Sequence, residues 1–137
     1  MDSFKTKIKP FSGTSYADIY PKALYVYKNI TSKTKRRPYL RSAYFSKEKV
    51  FLDYFWDHIR EKNLRDRARR LTYYACALDL IKHSRMKPSS KENPNKKSEV
   101  LHRFTGITGD RRVFCVQIIK ERLKRREKYF MSVFSTE

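Results

Sequence analysis

Residues 99–120 read EVLHRFTGITGDRRVFCVQIIK, and this stretch decides the fold. Two runs rich in β-branched and aromatic residues, Val100–Thr105 and Arg112–Lys120, flank a turn containing Gly106, Gly109 and Asp110, the composition of a β-hairpin. Side chains alternate across a strand, so Val100, His102 and Phe104 take one face while Leu101, Arg103 and Thr105 take the other. Phe114, Val116, Ile118 and Lys120 likewise share a face. Downstream, Lys128–Phe134 reads as a third strand after the charged connection 121–127, with Lys128, Phe130, Ser132 and Phe134 on one side. A helix is the rival parsing, because Val116, Ile119, Leu123, Phe130 and Phe134 also fit helical spacings. The β-branched content of 113–119 favours strands. The doubled Ile118-Ile119 leaves the register of Lys120 open, since a slip of one residue turns it to the opposite face.

Upstream, residues 84–98 carry two prolines and almost no apolar side chain, which reads as a long loop between a helical half and a strand half. Before that loop, Leu64, Ala68, Leu71, Ala75 and Leu78 recur at helical spacing, with Asn63 as N-cap and Asp66 in capping-box position. An earlier helix is expected from Ser46 to about Lys62. Ser46 would cap it, Phe45 and Val50 would staple it, and Phe51, Phe55 and Ile59 would form its apolar face. Trp56 reads as core. Residues 1–38 form a basic N-terminal arm, loosely held to residue 16, with one short element after Pro21 that suits helix or strand, and a basic loop from Thr31 to Pro38. The expected fold is therefore α+β: N-terminal helices packed on a small C-terminal antiparallel β-sheet, with one domain over 39–137.

The 137 residues carry 33 Lys+Arg against 14 Asp+Glu, a formal charge of +19. That exceeds what solubility needs and attracts polyanions. With 39% hydrophobic and 15% aromatic residues the chain can build a core, so it is not a disordered basic tail. Nucleic acid, RNA before DNA, is the expected partner, ahead of an anionic membrane. No signal peptide or membrane span is legible, which gives a cytoplasmic expectation. Cys76 and Cys115 lack metal-ligand spacing and read as reduced, buried thiols. No Gly-rich phosphate loop, nucleophile elbow or paired-carboxylate metal motif is present, and neither a cofactor nor a metal is expected.

RNA carries its own nucleophile, the 2′-OH. Cleaving it needs a base, an acid for the leaving 5′-oxygen, and cations or hydrogen bonds on the phosphorane. His102, Lys120, Lys128 and Ser132, on three expected strands, are of the required types. His58 and His83 read as surface or helix-terminus residues. Arg65, Arg67, Arg69 and Arg70 on the second helix, with Arg111, Arg112, Arg125 and Arg126 near the strands, read as phosphate contacts.

The runs Leu101-His102-Arg103-Phe104, Val113-Phe114-Cys115-Val116-Gln117-Ile118 and Lys128-Tyr129-Phe130-Met131-Ser132-Val133-Phe134 carry a resemblance. They are similar to the phage-associated branch of the barnase/EndoU/colicin/RelE-like ribonuclease superfamily. The likeness covers roughly residues 39–137 and is sharpest over 99–134. It implies a RelE/barnase-like fold and metal-independent cleavage of RNA to a 2′,3′-cyclic phosphate. It also implies His102 as general acid or base, Lys120 and Lys128 as phosphate stabilisers, Ser132 as a hydrogen-bond donor and Arg103 as a substitute cation. A toxin or phage-defence role, with a neutralising antitoxin or immunity protein as second partner, belongs to this expectation. The alternative is a non-catalytic nucleic-acid-binding protein acting through its basic surface.

Overall fold

The computed structural model describes residues 3–122 and 126–136. Its elements in chain order are β1 (Phe4–Lys5), α1 (Tyr16–Thr31), β2 (Tyr39–Ser42), β3 (Glu48–Phe51), α2 (Asp53–Ile59), α3 (Leu64–Thr72), α4 (Tyr74–His83), β4 (Ser89–Asn93), β5 (Lys96–Ile107), β6 (Val113–Glu121) and β7 (Lys128–Ser135). The sheet runs β1-β5-β6-β7-β3-β2, and β4 also pairs with β5.

This corrects the expected architecture. The three C-terminal strands exist and pair antiparallel, and residues 113–121 and 128–135 are strands rather than helix. The sheet they belong to is larger and mixed. It recruits three strands from the N-terminal part, two of them in parallel, β1 on β5 and β3 on β7, with the helices interspersed between strands. Helices are not simply stacked in front of a small antiparallel sheet. The recruited strands are two to four residues long, too short for alternation to be legible.

The expected helix from Ser46 shows the same cause. Ser46 and Lys47 both have positive φ, 56° and 67°, in the turn joining β2 to β3, and Glu48 N–H closes it onto the Phe45 carbonyl at 3.0 Å. The last strand pair is Ser42–Glu48, so residues 43–47 form the loop, and the left-handed backbone at Ser46 and Lys47 returns the chain to β3. Val50, expected to staple a helix, lies fully buried in β3 opposite Leu40. Only 53–59 remains helical.

Asn63 does cap α3, its side chain accepting from Asp66 N–H at 2.8 Å. The helix expected to run on through Leu78 is interrupted at Tyr73, whose φ of -100° and ψ of 9° leave the helical region, and α4 starts after it; Leu64 is exposed rather than part of the core. The long loop of 84–98 is in part the β4–β5 hairpin, Ser90 pairing with His102 and Glu92 with Val100. Near the N-terminus, β1 pairs with Gly106 and Ile107, and Thr6 donates to Asp79 at 2.6 Å. Helix α1 is longer than Pro21 suggests: Ser15 caps it, and Pro21 sits inside it.

One sheet face carries the core. Phe104, Val116, Ile118, Phe130 and Val133 pack there with Tyr74, Leu71 and Leu80 of the helices, and Phe55 stacks on Phe130 with ring centroids 4.7 Å apart. Cys76 and Cys115 are free and buried, and burial pushes the Cys76 thiol up to about 11. Among the described residues, no helix is long and apolar enough to cross a membrane.

Candidate functional site

The pairing register of β5, β6 and β7 sorts the chemistry-bearing residues. Gln117 pairs with Ser132, but Ile118 pairs with Phe130, so Met131 is an extra residue on β7. Such a bulge reverses the alternation of everything beyond it. Ser132 therefore does not share a face with Lys128 and Phe130, as simple alternation predicts. It joins Gln117 and Arg103 in a row across three strands, on the side away from the core, with Phe134 in the neighbouring row.

The residues expected to act together are thereby divided between two faces. On the core face, His102 lies at the sheet's end with Lys120 and Lys128, which pair with each other across β6 and β7. Lys128 has only 5% of its side chain exposed and is held by Glu48 at 2.5 Å, while Glu48 itself is 60% exposed. His102 Nδ1 is 2.7 Å from Ser90 Oγ, and its ring meets Phe45 edge to face. Its Nε2 is buried with no hydrogen-bond partner. Burial lowers the His102 pKa below the usual histidine range, with Lys120 and Lys128 acting in the same direction. The charged form of this imidazole is thus disfavoured where it sits.

The other face opens into a cleft of about 360 Å3, walled by the sheet on one side and by α2, α3 and the turn after α2 on the other. Ser132, Arg103, Gln117 and Phe134 supply the sheet wall, Arg70 comes from α3, and Tyr54 and His58 come from α2. Arg70 is forked: Nη1 donates to Ser132 Oγ at 2.5 Å and Nε to Asp66 Oδ2 at 3.2 Å. Ser132 thus accepts from a fixed cation and keeps its own proton to donate. The Arg70 and Arg103 guanidinium carbons lie 5.9 and 5.4 Å from the Phe134 ring centroid, so one aromatic ring anchors both cations.

His58 was not among the expected site residues. Its Nδ1 lies 2.8 Å from the Tyr54 carbonyl, and its ring stacks on Tyr54 at 3.9 Å. A carbonyl only accepts, so Nδ1 carries the proton and Nε2 of the neutral ring holds the lone pair. This is a hydrogen-bonded orientation suited to a base. The only signal in the sequence is the spacing of Tyr54 and His58, four residues apart and off the stripe of Phe55 and Ile59.

The remaining arginines are spread out. Arg65 and Arg69 are exposed on α3. Arg67 is spent on the Lys62 and Arg60 carbonyls at 2.7 and 2.6 Å, holding the turn before α3. Arg112 pairs with Asp110 at 2.9 Å in the β5–β6 turn, where Arg111 is exposed with φ 67°. Arg126 is exposed with φ 53°, and Arg125 lies outside the described residues. Among the described residues no three His, Cys, Asp or Glu side chains converge as a metal site would require. No family model, curated protein or solved structure matches the chain.

Proposed function

We propose that this protein is an RNA-binding endoribonuclease whose reaction site is the open cleft of β5, β6 and β7, and that it works without a metal. One observation supports this most directly: an imidazole with a fixed tautomer lines the same cleft as two guanidinium groups and a hydroxyl. In the proposed reaction His58 Nε2 takes the 2′-OH proton, O2′ bonds to phosphorus, and the P–O5′ bond breaks. The 5′-oxygen takes up a proton from solvent, which the open cleft admits. Arg70 and Arg103 balance the charge gathering on the phosphorane, and Ser132 donates to one of its oxygens. The products are a 2′,3′-cyclic phosphate and a 5′-hydroxyl.

His58 replaces His102 in the base role in this reading, and Arg70 joins Arg103 and Ser132. Lys120 and Lys128 lie on the core face and serve there with Glu48. The resemblance to the phage-associated ribonucleases, over roughly residues 39–137 and sharpest over 99–134, rests on the sequence alone, and a toxin or phage-defence role with a neutralising partner is proposed on the same footing.

The test is incubation of the purified protein with mixed RNA in chelator, followed by end-group analysis. Fragments ending in cyclic phosphate, lost in Arg103→Ala and His58→Ala, are expected. Intact RNA with folded wild-type protein would overturn the reading. In that case the basic surface would act by binding alone.

A further inference from the structure

A second concavity lies on another part of the surface, where the end of α1 and the following loop meet β2 and β3. It measures about 590 Å3, within the roughly 300–1,000 Å3 common for ligand sites. Its described lining holds five cations, Lys33, Lys35, Arg36, Arg37 and Lys49, against one carboxylate, Glu127, and its apolar part is the rings of Tyr39 and Phe51.

The five cations are not equivalent. Arg37 is committed internally: Nε and Nη2 each donate to Asp53 at 2.9 Å, Glu127 lies 3.6 Å from Nη1, and the guanidinium sits 4.2 Å over Phe51. It lies between these two carboxylates, so its single charge is already engaged, and its guanidinium packs on the aromatic wall. Lys33, Lys35 and Arg36 have no carboxylate within ion-pair distance among the described residues. Lys49 Nζ lies 4.6 Å over the Tyr39 ring, and Arg41 flanks the same ring at 5.6 Å.

The C-terminus of α1 points its negative end toward this loop, worth about half an elementary charge, which several unpaired cations outweigh. The last carbonyls are in any case partly used, Lys28 and Ile30 accepting from Ser32 and Lys33 at 3.0 Å. Unpaired cations around a concave cleft whose wall is an aromatic ring suit a backbone phosphate with a base stacked beside it, as single-stranded nucleic acid presents. A flat lipid surface would not fill the concavity.

We infer that this cleft is a second seat for single-stranded RNA, taking an unpaired base on Tyr39 and its flanking phosphates on Lys33, Lys35 and Arg36. The inference rests on the ribonuclease reading for its choice of RNA. It gives the enzyme a hold on the strand outside the reaction cleft, so that affinity and chemistry are carried by different surfaces.

The experiment is fluorescence anisotropy of a labelled oligouridylate with the full chain, over a range of salt concentrations. Lys33→Ala/Lys35→Ala/Arg36→Ala is expected to weaken binding and to flatten the salt slope by about 2, at roughly 0.7 per lost contact on a single strand. Tyr39→Ala is expected to weaken it about 5- to 150-fold, and Tyr39→Phe to restore it, because stacking needs the ring and not the hydroxyl. Unchanged affinity and slope in the triple variant, with circular dichroism confirming a native fold, would overturn the inference and leave the reaction-cleft reading intact. Equal binding by Tyr39→Ala and the wild type would also overturn the stacked seat. Cleavage insensitive to His58→Ala and Arg103→Ala, beside intact effects of the triple variant, would sink the reaction reading and keep this seat. Binding of anionic vesicles, without oligouridylate, would assign the surface to lipid and refute it.

Discussion

Replacing Arg70 by Ala separates structure from chemistry most sharply. Arg70 makes an i,i+4 pair with Asp66 at 3.2 Å and a hydrogen bond to Ser132 at 2.5 Å and lies 5.9 Å from the Phe134 ring centroid, with 20% of its side chain exposed. The ion pair is partly solvated and contributes about 0.3–0.5 kcal/mol. The bond to Ser132 is charge-assisted, with a net worth of about 1.5–3 kcal/mol when dry, but Ser132 lines an open cleft and water can replace the lost donor. The folding cost is therefore about 1–2 kcal/mol, and the variant stays folded at room temperature. In the transition state of the proposed cleavage the same guanidinium would face a developing dianion, and losing one such donor typically costs about 10²–10³ in rate. Single-turnover cleavage of end-labelled RNA at saturating protein, beside thermal melting by circular dichroism, reads both quantities. Arg70→Lys should fall in between, because one ammonium cannot fork between Asp66 and Ser132 as the guanidinium does. A rate for Arg70→Ala within about threefold of wild type would refute the assignment of the cleft.

His58→Ala should slow single-turnover cleavage by about 10²-fold or more, the scale of a lost general base; an unaltered rate would return the base role to another group. Stability should fall on acidification from about pH 6.5 downward on account of His102, measured as urea midpoints against pH. The sign follows from its depressed folded-state pKa: the unfolded chain binds the proton more readily, so stability is present above the unfolded pKa and is lost as pH falls below it. His102→Gln should flatten that dependence, and an unchanged curve would show that His102 is not the group responsible. Gly106→Ala should destabilise by about 1–3 kcal/mol, because the new methyl would sit 2.3 Å from Cζ of the fully buried Phe114 ring. Phe114→Leu in the same chain should recover part of that loss, and strictly additive effects in denaturant titrations would contradict the contact.

The sequence by itself determined the elements whose signals are local. Alternation and β-branched content mark β5, β6 and β7, and the cap at Asn63 marks the start of α3. These follow from neighbours within a few residues or from composition, and need no knowledge of what packs against them. Tertiary structure decided the rest. β1 and β3 are short runs that become strands because β5 and β7 offer open edges, β2 then adding to β3, and Val50 fits a helical stripe as readily as a buried strand until Lys128 is placed beside it. The site was decided in the same way. One extra residue at Met131 sends Ser132 to the open face and leaves Lys128 and His102 on the core face, and no pattern of residue types records where a ladder slips. His58 and Arg70 reach that face because α2 and α3 pack along β7, a contact between segments far apart in the chain, 62 residues for Arg70 and Ser132, that only the folded chain makes.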